Sequence, residues 1–405
     1  MSPRAYFGLA IVLLLALVSP AGGEPTVLLL SMDGLHPADL AATELPALDR
    51  MAREGARAER MTPEFPTNTF PNHVSLVTGV SPERHGIVNN RFVDPERGPY
   101  SYDSDPTWLE AEPLWSIVDR HGIVSASFHW VGSEGPWRSG HGPRHWRPFD
   151  ARTLESAKVD QIIAWLTLPA AERPRLVTAW FHGPDAAGHR HGPRSPEALA
   201  ALENQDAQLA RLQAALDAAD AWSETTLIVV SDHGMHPVDR SVNLQGLLDD
   251  AGIAGTVHGG GGFVTVDLAR PADDLARALV VAREAGLEAW PRGPGPDGLS
   301  TRNRRFGDLV ALAPLGTVVR RDGLLERIRS VFTGGGHGYR PSERSMAAVF
   351  LALGRGVSRG GQPQGVRSRD VAPTVLALLG VPIPESMEGR PIDLTEAGQP
   401  EGRTD

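Results

Sequence analysis

The sequence predicts an α/β protein organised on a mostly parallel central sheet. Three apolar runs carry that prediction: Thr26–Met32, Leu176–Phe181 and Thr225–Val230, each apolar over most of its length. Continuous apolar strands are buried on both faces, as in a parallel sheet covered by helices. Helical patterns lie between the runs. Polar residues follow each run closely: Asp33 after the first, Asp185 and His189 after the second, Asp232 and His233 after the third. In open α/β sheets functional side chains collect at the carboxyl ends of strands.

The 405 residues suffice for one large α/β domain with an insertion, or for two domains. With 41% hydrophobic and 22% charged residues the composition is that of a globular protein. The formal net charge of -10 gives no general attraction for polynucleotides, so no polynucleotide binding is expected. A small phosphorylated substrate is compatible with that charge if metal ions supply local positive potential. There is no cysteine, hence no disulfide and no thiolate ligand. Any metal site must use His, Asp, Glu or hydroxyl groups.

Residues 1–23 read as a signal peptide. Arg4 supplies the positive end and Leu9–Val18 the apolar segment, too short for a comfortable membrane span. Ser19-Pro20-Ala21 and Ala21-Gly22-Gly23 are both suitable cleavage sites. An uncleaved anchor is the alternative, and the lack of cysteine excludes a lipoprotein anchor. The expectation is a periplasmic or secreted protein with no stable membrane anchor after cleavage.

Taken in order, Leu45–Ala56 reads as a helix on the sheet. Thr67-Asn68-Thr69-Phe70-Pro71-Asn72-His73 is a turn-forming segment before a helical pattern at Val74, Leu76 and Val77. A threonine there is a solvated hydroxyl, a cap, or a nucleophile if something activates it. Asn89 and Asn90 close a loop: Asn89 reads as a turn residue, and Asn90 as either that or an amide donor to a phosphate oxygen. Glu110–His121 and Leu154–Leu168 read as helices and Ile123–Phe128 as a strand. Between them Trp130, Trp137 and Trp146 lie in a loop-rich stretch that packs locally or lines a pocket for a ring.

The spacing Asp185-x-x-x-His189 brings an oxygen and a nitrogen donor to one side of a helical turn or compact loop. Ser195-Pro196-Glu197 starts a long helix. From about 240 to 345 the pattern is more irregular and reads as an inserted subdomain. Within it Gly259–Gly262 reads as a strand bend, and Arg302, Arg304 and Arg305 as a solvated basic cluster. His337 stands among small residues that allow close approach. Met346–Leu353 reads as a strand, Asp370–Gly380 as a closing helix capped by Asp370, and 395–405 as a polar tail.

The donors sum to Asp33, Thr69, Asp185, His189, Asp232, His233 and His337. They suit Zn²⁺ without cysteine, and seven exceed the needs of one tetrahedral ion. Two Zn²⁺ ions in one pocket would fit, with the Thr69 hydroxyl held by one of them.

The segments Ser31-Met32-Asp33-Gly34, Thr69-Phe70-Pro71-Asn72-His73, His85-Gly86-Ile87-Val88-Asn89-Asn90, Pro184-Asp185-x-x-Gly188-His189, Ser231-Asp232-His233-Gly234-Met235 and Gly336-His337-Gly338-Tyr339 together resemble the nucleotide pyrophosphatase/phosphodiesterase family of the alkaline phosphatase superfamily. The resemblance runs from about Val27 to Ile392. It implies an alkaline-phosphatase-like three-layer α/β/α sandwich over 24–394. It also implies Asp185, His189 and His337 on one zinc, with Asp33, Asp232, His233 and the nucleophile Thr69 on the other. A phosphoryl-threonine intermediate, Asn90 on a nonbridging phosphate oxygen and Phe70 stacked on a nucleobase complete the implied chemistry, with release of a nucleoside 5′-monophosphate. Trp146 is taken as the second stacking ring. Phe181-His182-Gly183-Pro184 and Trp130-Val131-Gly132-Ser133 depart from the family pattern and leave base and leaving-group preference open. A phosphomonoesterase of the same superfamily and a catalytically dead secreted metal-binding protein are the alternatives.

Overall fold

The computed structural model describes residues 23–320 and 334–395. The expected signal segment up to residue 22 and the tail from 396 lie outside the described residues. Strands of the central sheet are β1 (Thr26–Met32), β2 (Ala56–Arg57), β3 (Ser125–Phe128), β4 (His145–Arg147), β5 (Leu176–Phe181) and β6 (Thr225–Val230). A second sheet contains β7 (Gly255–Gly260), β8 (Phe263–Leu268), β9 (Glu288–Pro291) and β10 (Leu309–Leu312), and the chain then returns to the first sheet with β11 (Phe350–Gly354).

The central order is β2-β11-β6-β1-β5-β3-β4. From β6 to β4 every neighbouring pair is parallel, whereas β11 runs antiparallel to both β6 and β2. Helices cover both faces, as the apolar runs predicted. Val27 and Leu29 point to one face, which packs against α2 (Thr69–Thr78), α3 (Leu114–Asp119) and α9 (Val371–Leu379). Leu28, Leu30 and Met32 point to the other, against α1 (Pro46–Glu54), α4 (Glu155–Leu166) and α6 (Pro196–Ala218). Full burial of such a side chain contributes about 1.5–3 kcal/mol, which is why β1 carries an apolar residue toward both layers. The second sheet, in order β7-β8-β10-β9, is antiparallel and packs on α7 (Leu244–Asp250) and α8 (Pro271–Glu284) around its own core. Among the described residues no helix is long and apolar enough to cross a membrane.

Several local expectations change. The glycine run closes the β7–β8 hairpin rather than bending one strand: Gly259 and Gly260 still pair with Val264 and Phe263, Gly261 and Gly262 make the turn, and Gly259 and Gly261 have φ 91° and 73°. The Glu110–His121 helix is confined to α3, because Pro113 sets its start. The last strand begins at Phe350, after a short 3₁₀ turn at Arg344–Met346. Asp370 does not cap α9 with its side chain; its carboxylate accepts instead from the backbone of Arg367 and Arg390.

The largest change concerns Arg304 and Arg305, read from sequence as solvated. Arg305 is fully buried. Its Nε donates to Asp94 at 2.6 Å, and its Nη1 donates to the carbonyls of Gly86 and Trp108 at 2.9 Å each. Arg304 reaches Asp94 at 3.0 Å and Glu110 at 2.8 Å. Burial opposes ionisation of Asp94, but the Glu96 backbone amide and the Arg305 guanidinium outweigh it and hold the carboxyl at about 2. Removing one partner of a buried pair strands the other charge. Arg305→Ala is therefore expected to destabilise the protein by about 3–5 kcal/mol, read as a lower urea midpoint. A change under about 1 kcal/mol would show the pair to be dispensable.

Candidate active site

Three adjacent strands deliver the first donors. Asp33 follows β1, Asp185 lies in α5 (Gly183–His191) just after β5, and Asp232 and His233 follow β6. In the register Ser31 lies between Trp180 and Val230, so the three carboxyl ends stand side by side. Gly34, at φ 72°, is needed for this approach: a Cβ there would stand 3.2 Å from the Asp185 Cβ. His337 arrives from the other side, because Gly335–Gly336 pairs with His236–Pro237 just beyond β6.

Thr69 is not in a turn ahead of its helix but is the first residue of α2, with Asn68 as N-cap. Its Oγ1 lies 3.2 Å from His233 Nε2. The ring of His233 is 3.7 Å from Asp33 and 3.1 Å from Asp232, and it stacks on His337 at 3.7 Å. On the far side His189 Nε2 is 3.1 Å from His337 Nε2, with Asp185 Oδ1 at 3.5 Å and 3.9 Å from the two rings. His189 keeps 39% side-chain exposure, so solvent reaches the cluster there.

The donor set fits divalent cations. Three histidines present Nδ1 to backbone carbonyls: His189 to Gly335, His233 to Gly234 and His337 to Thr67. Donating Nδ1–H in this way leaves each Nε2 as a free lone pair, the tautomer that a metal ligand requires. The Nε2 of His233 lies 3.1 Å from Asp232 and 3.2 Å from the Thr69 hydroxyl, and those of His189 and His337 lie 3.1 Å apart with Asp185 beside them. Asp33 Oδ1, Asp185 Oδ1 and Asp232 Oδ2 are buried without a hydrogen-bond partner, although Trp180 donates to the other Asp33 oxygen at 2.9 Å. Orphaned buried carboxylate oxygens are costly unless a cation meets them. Burial, then the charges of Asp232 and Asp185, push the Asp33 carboxyl well above the usual carboxylate range. Burial also keeps the His337 ring well below the ordinary histidine value, with the neighbouring His233 and His189 rings adding to it. Two sets lie within reach of a single ion each: Asp185, His189 and His337, and Asp33, Asp185 and His233. Asp185 borders both.

A sequence profile described as type I phosphodiesterase / nucleotide pyrophosphatase matches residues 27–340. The chain belongs to this family. It is 35% identical over 224 residues to human ectonucleotide pyrophosphatase/phosphodiesterase family member 1, covering 53% of this chain and 24% of that protein. It is 29% identical over 358 residues to the venom phosphodiesterase CdcPDE of Crotalus durissus collilineatus, covering 83% and 42%. The chain thus spans about a quarter to a half of the length of the curated relatives it matches. Among solved structures, murine ectonucleotide pyrophosphatase/phosphodiesterase 5, in an inactive form with AMP, superposes with a TM-score of 0.80 at 26% identity, covering 90% of this chain and 98% of that one. The α/β sandwich on a mostly parallel sheet is the class that the apolar runs predicted, and its likeness to this relative agrees with the alkaline-phosphatase-like fold that the resemblance implied.

Within this phosphodiesterase scaffold Asn90 takes the capping role that Asn68 leaves open. Its Oδ1 accepts from the Phe70 backbone N–H at 2.9 Å, at the second position of α2, so the amide nitrogen is not used in the cap. Phe70 packs edge-on with Tyr102 at 5.0 Å, Trp180 at 6.1 Å and Tyr100 at 6.4 Å. Trp146 is placed differently from these rings: it lies on the edge strand β4, exposed. Phe149, three residues on, stacks on Trp180 at 5.0 Å and stays 44% exposed. Phe149 and Tyr102 are the exposed rings of this aromatic group. Sequence reasoning also missed His73, whose Nδ1 lies 2.9 Å from the Thr69 carbonyl and 3.4 Å from Asp232. Its place four residues after Thr69, one helical turn on, was the available signal.

Proposed function

We propose that this chain is a two-zinc phosphodiesterase/pyrophosphatase that cleaves nucleotide diester or pyrophosphate bonds through Thr69 and releases a nucleoside 5′-monophosphate. Residues 24–394 would act as one catalytic domain, with about 240–345 inserted, in a periplasmic or secreted protein. The observation that carries the reading is the clustering of Asp33, Asp185, His189, Asp232, His233 and His337, with the Thr69 hydroxyl 3.2 Å from His233 Nε2. Asp185, His189 and His337 would hold one zinc; Asp33, Asp232, His233 and Thr69 the other. Bound zinc would supply Lewis acidity, easing loss of the Thr69 proton and offsetting charge on the phosphoryl oxygens.

The chain's own groups do the rest. The N-terminus of α2, which begins at Thr69, would offer its positive dipole end to the phosphoryl group. Asn90 donates to a nonbridging oxygen, while Phe70, with Phe149 or Trp146, would hold the base. Thr69 Oγ1 forms a bond to phosphorus as the bond to the leaving oxygen breaks and the electron pair departs with it. Water then attacks from the opposite side, the Thr69 O–P bond breaks, and the threonine oxygen regains a proton.

A comparison of bis-(p-nitrophenyl) phosphate with p-nitrophenyl phosphate tests the class. The diester is expected to have the higher kcat/KM. A strong preference for the monoester would move the chain to the phosphomonoesterase reading, and activity on neither would leave a metal-binding protein without catalysis.

A further inference from the structure

Two buried amides, Asn68 and Asn89, take no part in the steps above, yet they join three pieces of the site. Asn68 stands at the N-cap of α2 without bonding to the helix through its side chain. Its Oδ1 meets His337 Nδ1 at 3.1 Å, sharing that N–H with the Thr67 carbonyl. Its Nδ2 donates to Asn89 Oδ1 at 2.9 Å. Asn89 Oδ1 also accepts from the Asn90 backbone N–H at 2.8 Å, while Asn89 Nδ2 donates to the Phe263 carbonyl at 3.4 Å. Glycines close the space around both. A Cβ at Gly338 would stand 2.6 Å from Asn68 Oδ1, and one at Gly259 would stand 2.3 Å from Asn89 Nδ2.

The order of donors and acceptors allows one orientation. With its Nε2 committed to the metal side, His337 must donate from Nδ1, so Asn68 turns its oxygen to the ring and its amide to Asn89. Asn89 must then present its oxygen, and that same oxygen receives the Asn90 amide. We propose that Asn68 and Asn89 are positioning residues of the active site. Asn68 sets the ring plane and tautomer of His337, and Asn89 sets the backbone from which Asn90 reaches the start of α2. The inference rests on the metal phosphodiesterase reading of the site.

Three variants of the full chain separate the roles. Asn68→Ala removes an acceptor from His337. Asn89→Ala removes all three Asn89 bonds. Asn89→Asp keeps both acceptances and loses only the donation to Phe263. Zinc affinity is measured by competition with a chromogenic chelator, kcat and KM on bis-(p-nitrophenyl) phosphate, and folding by thermal denaturation. Asn68→Ala is expected to weaken zinc binding by about 10–100-fold, as loss of a group that orients a ligand does. Asn89→Ala is expected to keep parent zinc affinity but lower kcat by about 10–100-fold, and Asn89→Asp to restore most of it. Parent zinc affinity in Asn68→Ala together with parent kcat in Asn89→Ala would overturn the proposal. So would equal loss of kcat in both Asn89 variants, which would make the hairpin contact the important one. Failure of the underlying reading looks different: the parent would lack diesterase activity, while the zinc competition still reports on Asn68.

Discussion

Thr69→Ala is expected to lower diester hydrolysis by at least about 10³-fold, equivalent to roughly 4 kcal/mol of transition-state stabilisation. The size follows from the absence of a substitute nucleophile at the start of α2. Phe70 and Pro71 follow Thr69, and the Asn68 side chain is committed to His337 and Asn89. The fold should be indifferent to the change. Thr69 Oγ1 makes one side-chain contact, to His233 Nε2, and alanine is a better helix residue than threonine. Folding is therefore expected to match the parent, and the second zinc to stay on its three remaining ligands, Asp33, Asp232 and His233. Rapid quench of the parent with substrate should yield a phosphoryl group on the peptide containing Thr69, and no adduct should form in the variant. A variant within about tenfold of the parent rate would remove Thr69 from the mechanism.

Metal removal has the second-largest expected effect. A chelator should abolish activity, and zinc should restore it, because Asp33 Oδ1, Asp185 Oδ1 and Asp232 Oδ2 are buried without a hydrogen-bond partner and crowd the same histidine rings. The same removal should destabilise the fold. A ligand present at 100 times its Kd contributes about 2.7 kcal/mol per site, so loss of two sites should lower Tm by at least about 5 °C. His337→Ala should reproduce much of both effects, since that ring lies between His189 and His233. Unchanged activity and Tm after exhaustive chelation would show that the cluster is held together by protons and hydrogen bonds alone.

The parts of the molecule that could be read from the chain were those governed by local pattern. The apolar runs of β1, β5 and β6 announced strands buried on both sides, and polar residues immediately after them announced the edge where donors gather. Ser195 and Pro196 announced the start of α6, where Ser195 Oγ accepts from the Ala198 amide. What stayed hidden depends on partners far away in sequence. Arg305 looks like a surface residue until Asp94, 211 positions earlier, is folded against it. Asn89 looks like a turn residue until its neighbours prove to be Asn68 and the carbonyl of Phe263. Asn68 sits in a turn-forming segment until it proves to be the N-cap of α2, with its side chain on His337 and Asn89 and the Phe70 amide left to Asn90. Trp146 and Phe149 are three residues apart in a loop-rich stretch, and periodicity says nothing about which ring turns toward Trp180.

The decisive measurement is diffraction from crystals of the zinc-loaded protein on either side of the zinc absorption edge. Two anomalous peaks about 4 Å apart are expected, one among Asp185, His189 and His337, the other among Asp33, Asp232, His233 and the Thr69 oxygen. A map with no peak there, or with Thr69 Oγ1 turned away from both ions, would contradict the account.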